Sequence, residues 1–170
     1  RRSLELVLER HDPYPGVVLD RHWNVVLAND AAGRLLALLP AALRAPANMF
    51  RASLHPEGFA AATRNFAEWG AYLVNQLHRL VLLTGDDDLR ALETEVREYP
   101  DVQALIAAPD WTDWADPPLL VRCELSLAGI DVALFTTLTT FGTPRDITLD
   151  ELAVELFYPA DDATEAVLRG

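Results

Sequence analysis

A chain of 170 residues with 51% apolar content is long enough to bury a core and too hydrophobic to stay disordered. Its net charge of −12 is concentrated in one half: residues 1–82 hold nine arginines and seven acids, residues 83–170 five arginines and nineteen acids. Nucleic-acid affinity rests on phosphates neutralised by Lys and Arg, so this chain is not expected to touch DNA itself. The plainer reading of the acids is a solvated face that keeps the chain soluble. The apolar stretch at 77–84 is interrupted by His78 and Arg79 and is too short for a bilayer, and no signal-peptide succession opens the chain. The lone Cys123 excludes an internal disulfide, which fits a reducing compartment, and the expected localisation is cytoplasmic.

Apolar residues at Leu4, Leu6, Val7 and Leu8 predict a short helix over 1–10, ended by the turn-rich His11-Asp12-Pro13-Tyr14-Pro15-Gly16. Two β-branched runs, 17–20 and 23–28, flank the polar corner Arg21-His22 and predict a hairpin. Asn29 or Asp30 caps a helix over 31–39; Pro40 and Pro46 break the segment after it. A short helix is expected over 48–54, then a turn at His55-Pro56-Glu57-Gly58.

Phe59, Thr63, Phe66, Gly70, Leu73, Leu77 and Leu80 recur at steps of three and four and predict one long helix over 59–83. Gly85 stops it, and Asp86-Asp87-Asp88 opens the next helix where the dipole favours negative charge. That helix runs to about Glu98, and Pro100 separates it from a shorter one over 102–107.

The pattern then alternates. Val121, Cys123, Leu125 and Leu127 against Arg122, Glu124 and Ser126 predict a strand over 119–127. Ala128-Gly129 is a tight turn into a Thr-rich strand over 130–141. Gly142-Thr143-Pro144-Arg145-Asp146 connects to a strand over 152–158, stopped by Pro159, and Asp161-Asp162 caps a last helix through Arg169. Pairing of the early hairpin with the last three strands would give one five-stranded antiparallel sheet with helices on one face. This α+β order is the PAS-type layout, with an extended helical middle.

The run Tyr14-Pro15-Gly16-Val17-Val18-Leu19-Asp20, continuing through Trp23-Asn24-Val25-Val26-Leu27-Ala28-Asn29, resembles the opening of MmyB-like regulators' ligand-binding domains. So does the closing run Thr140-Phe141-Gly142-Thr143-Pro144-Arg145-Asp146-Ile147-Thr148-Leu149-Asp150-Glu151-Leu152, with Phe157-Tyr158-Pro159-Ala160-Asp161-Asp162-Ala163-Thr164 after it. The resemblance implies a single PAS-like domain behind a lambda-repressor-like (XRE-type) helix-turn-helix domain, sensing a small, fatty-acid-like molecule. Residues 1–12 would then be a helix or linker from a DNA-binding domain absent here, for which the Arg-Arg start without methionine also speaks.

The site expected on that footing is a pocket between the long helix and the sheet. Phe66, Trp69, Tyr72, Leu73 and Leu77 would form one wall, and Val121, Cys123 and Leu125 the other. A stripe at helical spacing is more often plain core, and the resemblance is what raises the pocket reading. A fatty-acid head group asks for a cation, for which Arg51 and Arg79 are the first candidates, with His78 and Arg122 behind them. Trp23 and Asn29 read as architecture, a strand-start aromatic and a helix cap.

Catalysis has little to stand on: all four histidines precede residue 79, Cys123 alternates with apolar neighbours, and no Gly-rich phosphate loop is present. No enzyme, no metal and no cofactor are expected, a bound fatty acid or similar molecule aside. The leading expectation is an effector-sensing domain of a homodimeric transcription regulator, reaching DNA only through the other domain and not associated with membrane. The competing one is a dimerisation module with a solid core and no ligand.

Overall fold

The computed structural model describes residues 1–112, 118–140 and 152–170. The expected connection at residues 142–146 and most of the closing resemblance therefore lie outside the described residues. The elements are α1 (Arg2–His11), β1 (Gly16–Leu19), β2 (Val25–Ala28), α2 (Asp30–Leu36), α3 (Met49–Leu54), α4 (Phe66–Thr84), α5 (Asp87–Arg97), α6 (Pro100–Ala107), β3 (Cys123–Leu127), β4 (Ile130–Thr140), β5 (Ala153–Pro159) and α7 (Asp162–Arg169). The five strands form one sheet in the order β2-β1-β5-β4-β3, each neighbouring pair antiparallel. This is the five-stranded PAS-like α+β arrangement that the order of elements implied.

Helices cover both faces, not one. Val17 and Leu19 face the main core, which they share with α3, α4, α5 and α6. Val18 and Val154 face the other way and pack with Leu4 and Leu8 of α1. The alternation of a strand makes this possible, since successive side chains point to opposite faces. β1 is therefore buried on both sides along its length. Its pairing with β2 slips by one residue between Val18 and Leu19, so that Leu27 opposes Val18 while Val25 opposes Leu19. The bulge leaves Val26 half-exposed, sends Val25 to the main core and Leu27 to the smaller one.

β2 begins two residues later than expected, because Trp23 belongs to the turn. Its φ is 66°, in the left-handed region, and the Asp20 carboxylate holds the turn by accepting from the backbone N–H groups of His22 and Asn24, both at 2.9 Å. The β3–β4 hairpin closes through a two-residue turn in which Ala128 and Gly129 both have positive φ, 50° and 80°. That geometry matches the twist of the paired strands.

The predicted long helix starts seven residues later than its apolar stripe. Residues before Phe66 make a 3₁₀ turn at Ala60–Ala62, and Thr63 then bridges to Leu125. The edge strand β3 claims the segment: Arg64 N–H donates to the Glu124 carbonyl at 2.7 Å, and the Asn65 amide bonds the backbone of Arg122 and Glu124. A covered edge and satisfied backbone groups outweigh one more turn of helix. β3, expected from 119, is shorter and spans Cys123–Leu127, with the Arg122 carbonyl just before it bonded to Asn65.

Two buried asparagines fasten the front of the fold. Asn29 caps α2 by accepting from Ala32 N–H at 3.0 Å, and the same oxygen accepts from Gly16 N–H at 3.0 Å. Its amide donates to the Leu8 and Tyr14 carbonyls at 3.2 and 2.8 Å, so one side chain joins α1, the following loop, β1 and α2. Asn48 likewise caps α3 and donates to the His22 carbonyl at 2.9 Å.

Asn29→Ala therefore removes a cap and strands buried donors and acceptors, and should cost about 3 kcal/mol in urea unfolding. Gly58→Ala should cost about 2 kcal/mol, since a Cβ there would stand 2.4 Å from the Ala52 carbonyl oxygen. Gly33→Ala, inside α2 with nothing within 4 Å of the added methyl, should instead stabilise by about 0.5–1 kcal/mol in the same assay.

Candidate functional site

A cavity of about 390 Å³ lies between α2, α3, α4 and the inner face of the sheet. Leu35 and Leu36 of α2 and Met49, Phe50 and Ser53 of α3 close one end. One face of α4 contributes Trp69, Tyr72, Leu73 and Gln76, spaced to project from adjacent turns. The floor is the sheet: Val17, Cys123, Leu125, Leu134, Leu138 and Phe157 with Thr136 and Thr137. The exposed Leu119 and Leu120 stand at the rim. Trp69 stacks on Tyr72 with ring centroids 5.4 Å apart, and Trp23 packs on Phe50 at 5.0 Å, so aromatic planes hold both ends of the helical wall.

Of the wall residues expected from the sequence, Trp69, Tyr72, Leu73, Cys123 and Leu125 line this space. Phe66, Leu77 and Val121 do not. Leu77 is fully buried and Val121 nearly so within the solid part of the core, while Phe66 lies over Gly70 beside Leu105 of α6. A stripe that winds along nineteen residues of α4 meets α5 and α6 as well as the sheet, so only part of it can face one cavity.

The expected head-group cations are elsewhere. Arg51 makes a two-pronged pair with Glu95, Nε to Oε2 at 2.7 Å and Nη2 to Oε1 at 3.0 Å. Tyr99 donates to the same carboxylate, and this pairing holds the Glu95 carboxyl below its usual range. His78 bonds Glu93 at 2.8 Å, and Arg122 approaches Asp161 at 3.4 Å near the surface. Arg79 is outside the lining, near enough to Tyr72 for its charge to act on the phenol.

The charged group that reaches the cavity, among the described residues, is not one that the sequence reading put forward. Glu155 on β5 is 7% exposed, opposes Val17 on one side and Leu138 on the other, and is the one charged side chain among the described lining residues. Burial pushes its carboxyl up from the ordinary 4.5 to about 7. A lone acid within Ala153-Val154-Glu155-Leu156-Phe157 was the available signal, but both faces of this strand are apolar, so alternation could not say that Glu155 points inward. Cys123 nearby has its thiol pushed up to about 12, by burial first and then by the charges of Glu155 and Glu124. A thiol held in that state is no nucleophile at neutral pH.

One group of metal-type ligands comes together among the described residues: His22, Asp86 and Asp88, with ligand atoms within 4.8 Å of one another. Asp86 is already committed, since it caps α5 through the N–H groups of Asp88 and Leu89 and bonds His22 at 3.0 Å. Among the described residues, no helix is long and apolar enough to cross a membrane.

Between pH 4.5 and 7 the folded chain keeps a proton on Glu155 that the unfolded chain releases, so stability falls as pH rises through this window. The loss should approach about 3 kcal/mol. The depressed carboxyls of Asp86, Asp161 and Glu165 act on the acid side of that window, where stability is lost as pH falls. Urea unfolding of Glu155→Gln should show no decline between pH 5 and 7.5; a decline equal to the parent's would assign the effect to other groups.

Comparison with families of known proteins gives a match over residues 1–170 to the MmyB-like transcription regulator ligand binding domain. None of the curated proteins matches the chain. Among solved structures, the PAS domain of BvgS from Bordetella pertussis is similar at 17% identity, over 99% of this chain and 94% of that one. The TM-score of 0.37 adds nothing to what the strand order already says. With the family match running the length of the chain, the chain belongs to the family of MmyB-like transcription regulator ligand binding domains.

Proposed function

We propose that this domain is the effector sensor of a bacterial transcription regulator, and that the effector is a small molecule with a substantial apolar part. The observation that carries the reading is the cavity between α2–α4 and the sheet. At about 390 Å³ it falls in the range that small-molecule sites occupy, and its walls are mostly apolar with a few polar groups. An occupant that fits a cavity of that size gains contacts along its apolar lining, and so stabilises the fold. A fatty acid is the occupant that the sequence resemblance implies. Its chain suits the walls, though among the described lining residues no cation meets a carboxylate.

In this reading the ligand favours one of two states of the domain, and the regulator's separate helix-turn-helix segments, paired in a cytoplasmic homodimer, change their arrangement accordingly. The acidic charge of residues 83–170 supports the division of labour, because it would repel the DNA that the other segment grips. A module serving dimerisation alone would have no use for a cavity of this size.

Leu73→Trp should fill the cavity from α4. The variant should melt a few degrees above the empty parent domain and gain nothing from added ligand. The parent should gain several degrees with a bound ten-to-fourteen-carbon amphiphile, in line with about 2.7 kcal/mol at a hundredfold excess over Kd. Thermal melts of both proteins, with mass spectrometry of the solvent extract of the purified parent, check this. No extractable molecule and no shift across a panel of such amphiphiles would sink the sensor reading.

A further inference from the structure

The cavity's polar equipment says which end of an amphiphile it accepts. Glu155 is the one charged side chain in the described lining, it is 7% exposed, and among the described residues no donor hydrogen-bonds or ion-pairs with its carboxylate. Among the described residues, the groups that face it from the surrounding elements supply no cation. Tyr72 of α4 and Cys123 of β3 are near enough to feel its charge, Arg79 acts on Tyr72 from outside the lining, and the described lining of α2, α3, β1 and β4 is uncharged. Proteins keep buried carboxylates paired or hydrogen-bonded, because an ionised one left alone in an apolar wall is strongly disfavoured. An acid in a cavity wall, with no donor on it among the described residues, is placed to take one from a ligand.

We propose that Glu155 is the head-group site of this cavity and that it selects an apolar molecule ending in a hydrogen-bond donor, a protonated amine above all, against one ending in a carboxylate. The assignment rests on the sensor reading of the cavity. An ammonium on the ligand gives the carboxylate the charge-assisted hydrogen bond it lacks. A hydroxyl gives it a weaker one. A ligand carboxylate would place two acids together in a low-dielectric site, where one of them must carry a proton.

Titration calorimetry with decylamine, 1-decanol and decanoate, at pH 7.5 and with one chain length throughout, separates the possibilities. Decylamine should bind at least about tenfold tighter than decanoate, the scale of one hydrogen bond to a charged group, with decanol between them. Lowering the pH to 6 should weaken the amine, by protonating Glu155, and strengthen decanoate. Glu155→Gln, nearly the same in shape and free of the buried charge, should lose about tenfold on decylamine and bind all three alike. Decanoate binding the parent as tightly as decylamine, or decylamine binding unchanged in Glu155→Gln, would overturn the assignment and leave the apolar cavity standing. Failure of all three chains to bind the parent would instead remove the sensor reading on which it rests. The comparison of head groups on the parent protein does not depend on the variant folding.

Discussion

Everything in this fold hangs on the pairing of β1 with β5, two short strands separated by most of the chain. Gly16 to Leu19 run against Leu156 to Ala153, and the segments between them leave the sheet and must return to it. Contacts this far apart in sequence cost loop-closure entropy before they yield anything. Burial on both faces at once offsets that cost: Val17 and Leu19 enter the main core while Val18 and Val154 meet α1. The pairing also creates the site. It sets Val17, Glu155 and Leu138 in one row across three strands, facing the helices that the long excursion returns over the sheet.

Glu155 is where the fold departs from its own logic. Its strand neighbours put hydrophobic side chains on both faces, and a leucine or valine at 155 would bury more apolar surface without a desolvated acid. The position instead holds a group whose burial raises its carboxyl to about 7, in a wall that is otherwise apolar with scattered hydroxyls and one amide. A sequence that satisfies local rules nearly everywhere and breaks one at a cavity wall does so at the place where the proposed ligand would sit. Arg51, by contrast, follows the rules. Its two-pronged pair with Glu95, joined by Tyr99, is complete without any ligand, so it braces α3 against α5.

The architecture was legible in the sequence because its signals are local. Apolar alternation, the capping asparagines and aspartates, Gly85 and Ala128-Gly129 each declare an element or its end without reference to anything distant. The start of α4 was not legible, since the stripe through Phe59 and Thr63 keeps helical spacing while the backbone there is claimed by β3. The cavity was half legible for a related reason. Helical spacing brought out Leu73 with Trp69 and Tyr72 on the flank of its stripe, strand parity brought out Cys123 and Leu125, and the resemblance made a pocket of them, but no spacing reports that α2 and α3 close the far end. Glu155 was hidden by symmetry: a strand buried on both faces gives alternation nothing to distinguish.

That two-sided burial bears on how a sensor built this way can report. β1 and β5 are a single layer with the cavity on one side and α1 on the other, and successive residues alternate between the two. Val17 and Glu155 touch the cavity, while Val18 and Val154, each adjacent to one of them along its strand, carry Leu4 and Leu8 of α1. Asn29 ties the same strand to α1 and α2 through four hydrogen bonds, three of them to backbone outside its own helix. In the proposed sensor, a ligand that draws Glu155 toward a head group pulls on a strand whose reverse face seats α1. Packed interiors do not deform smoothly, so a small displacement at Glu155 is met by a shift of the α1 seat rather than absorbed between them.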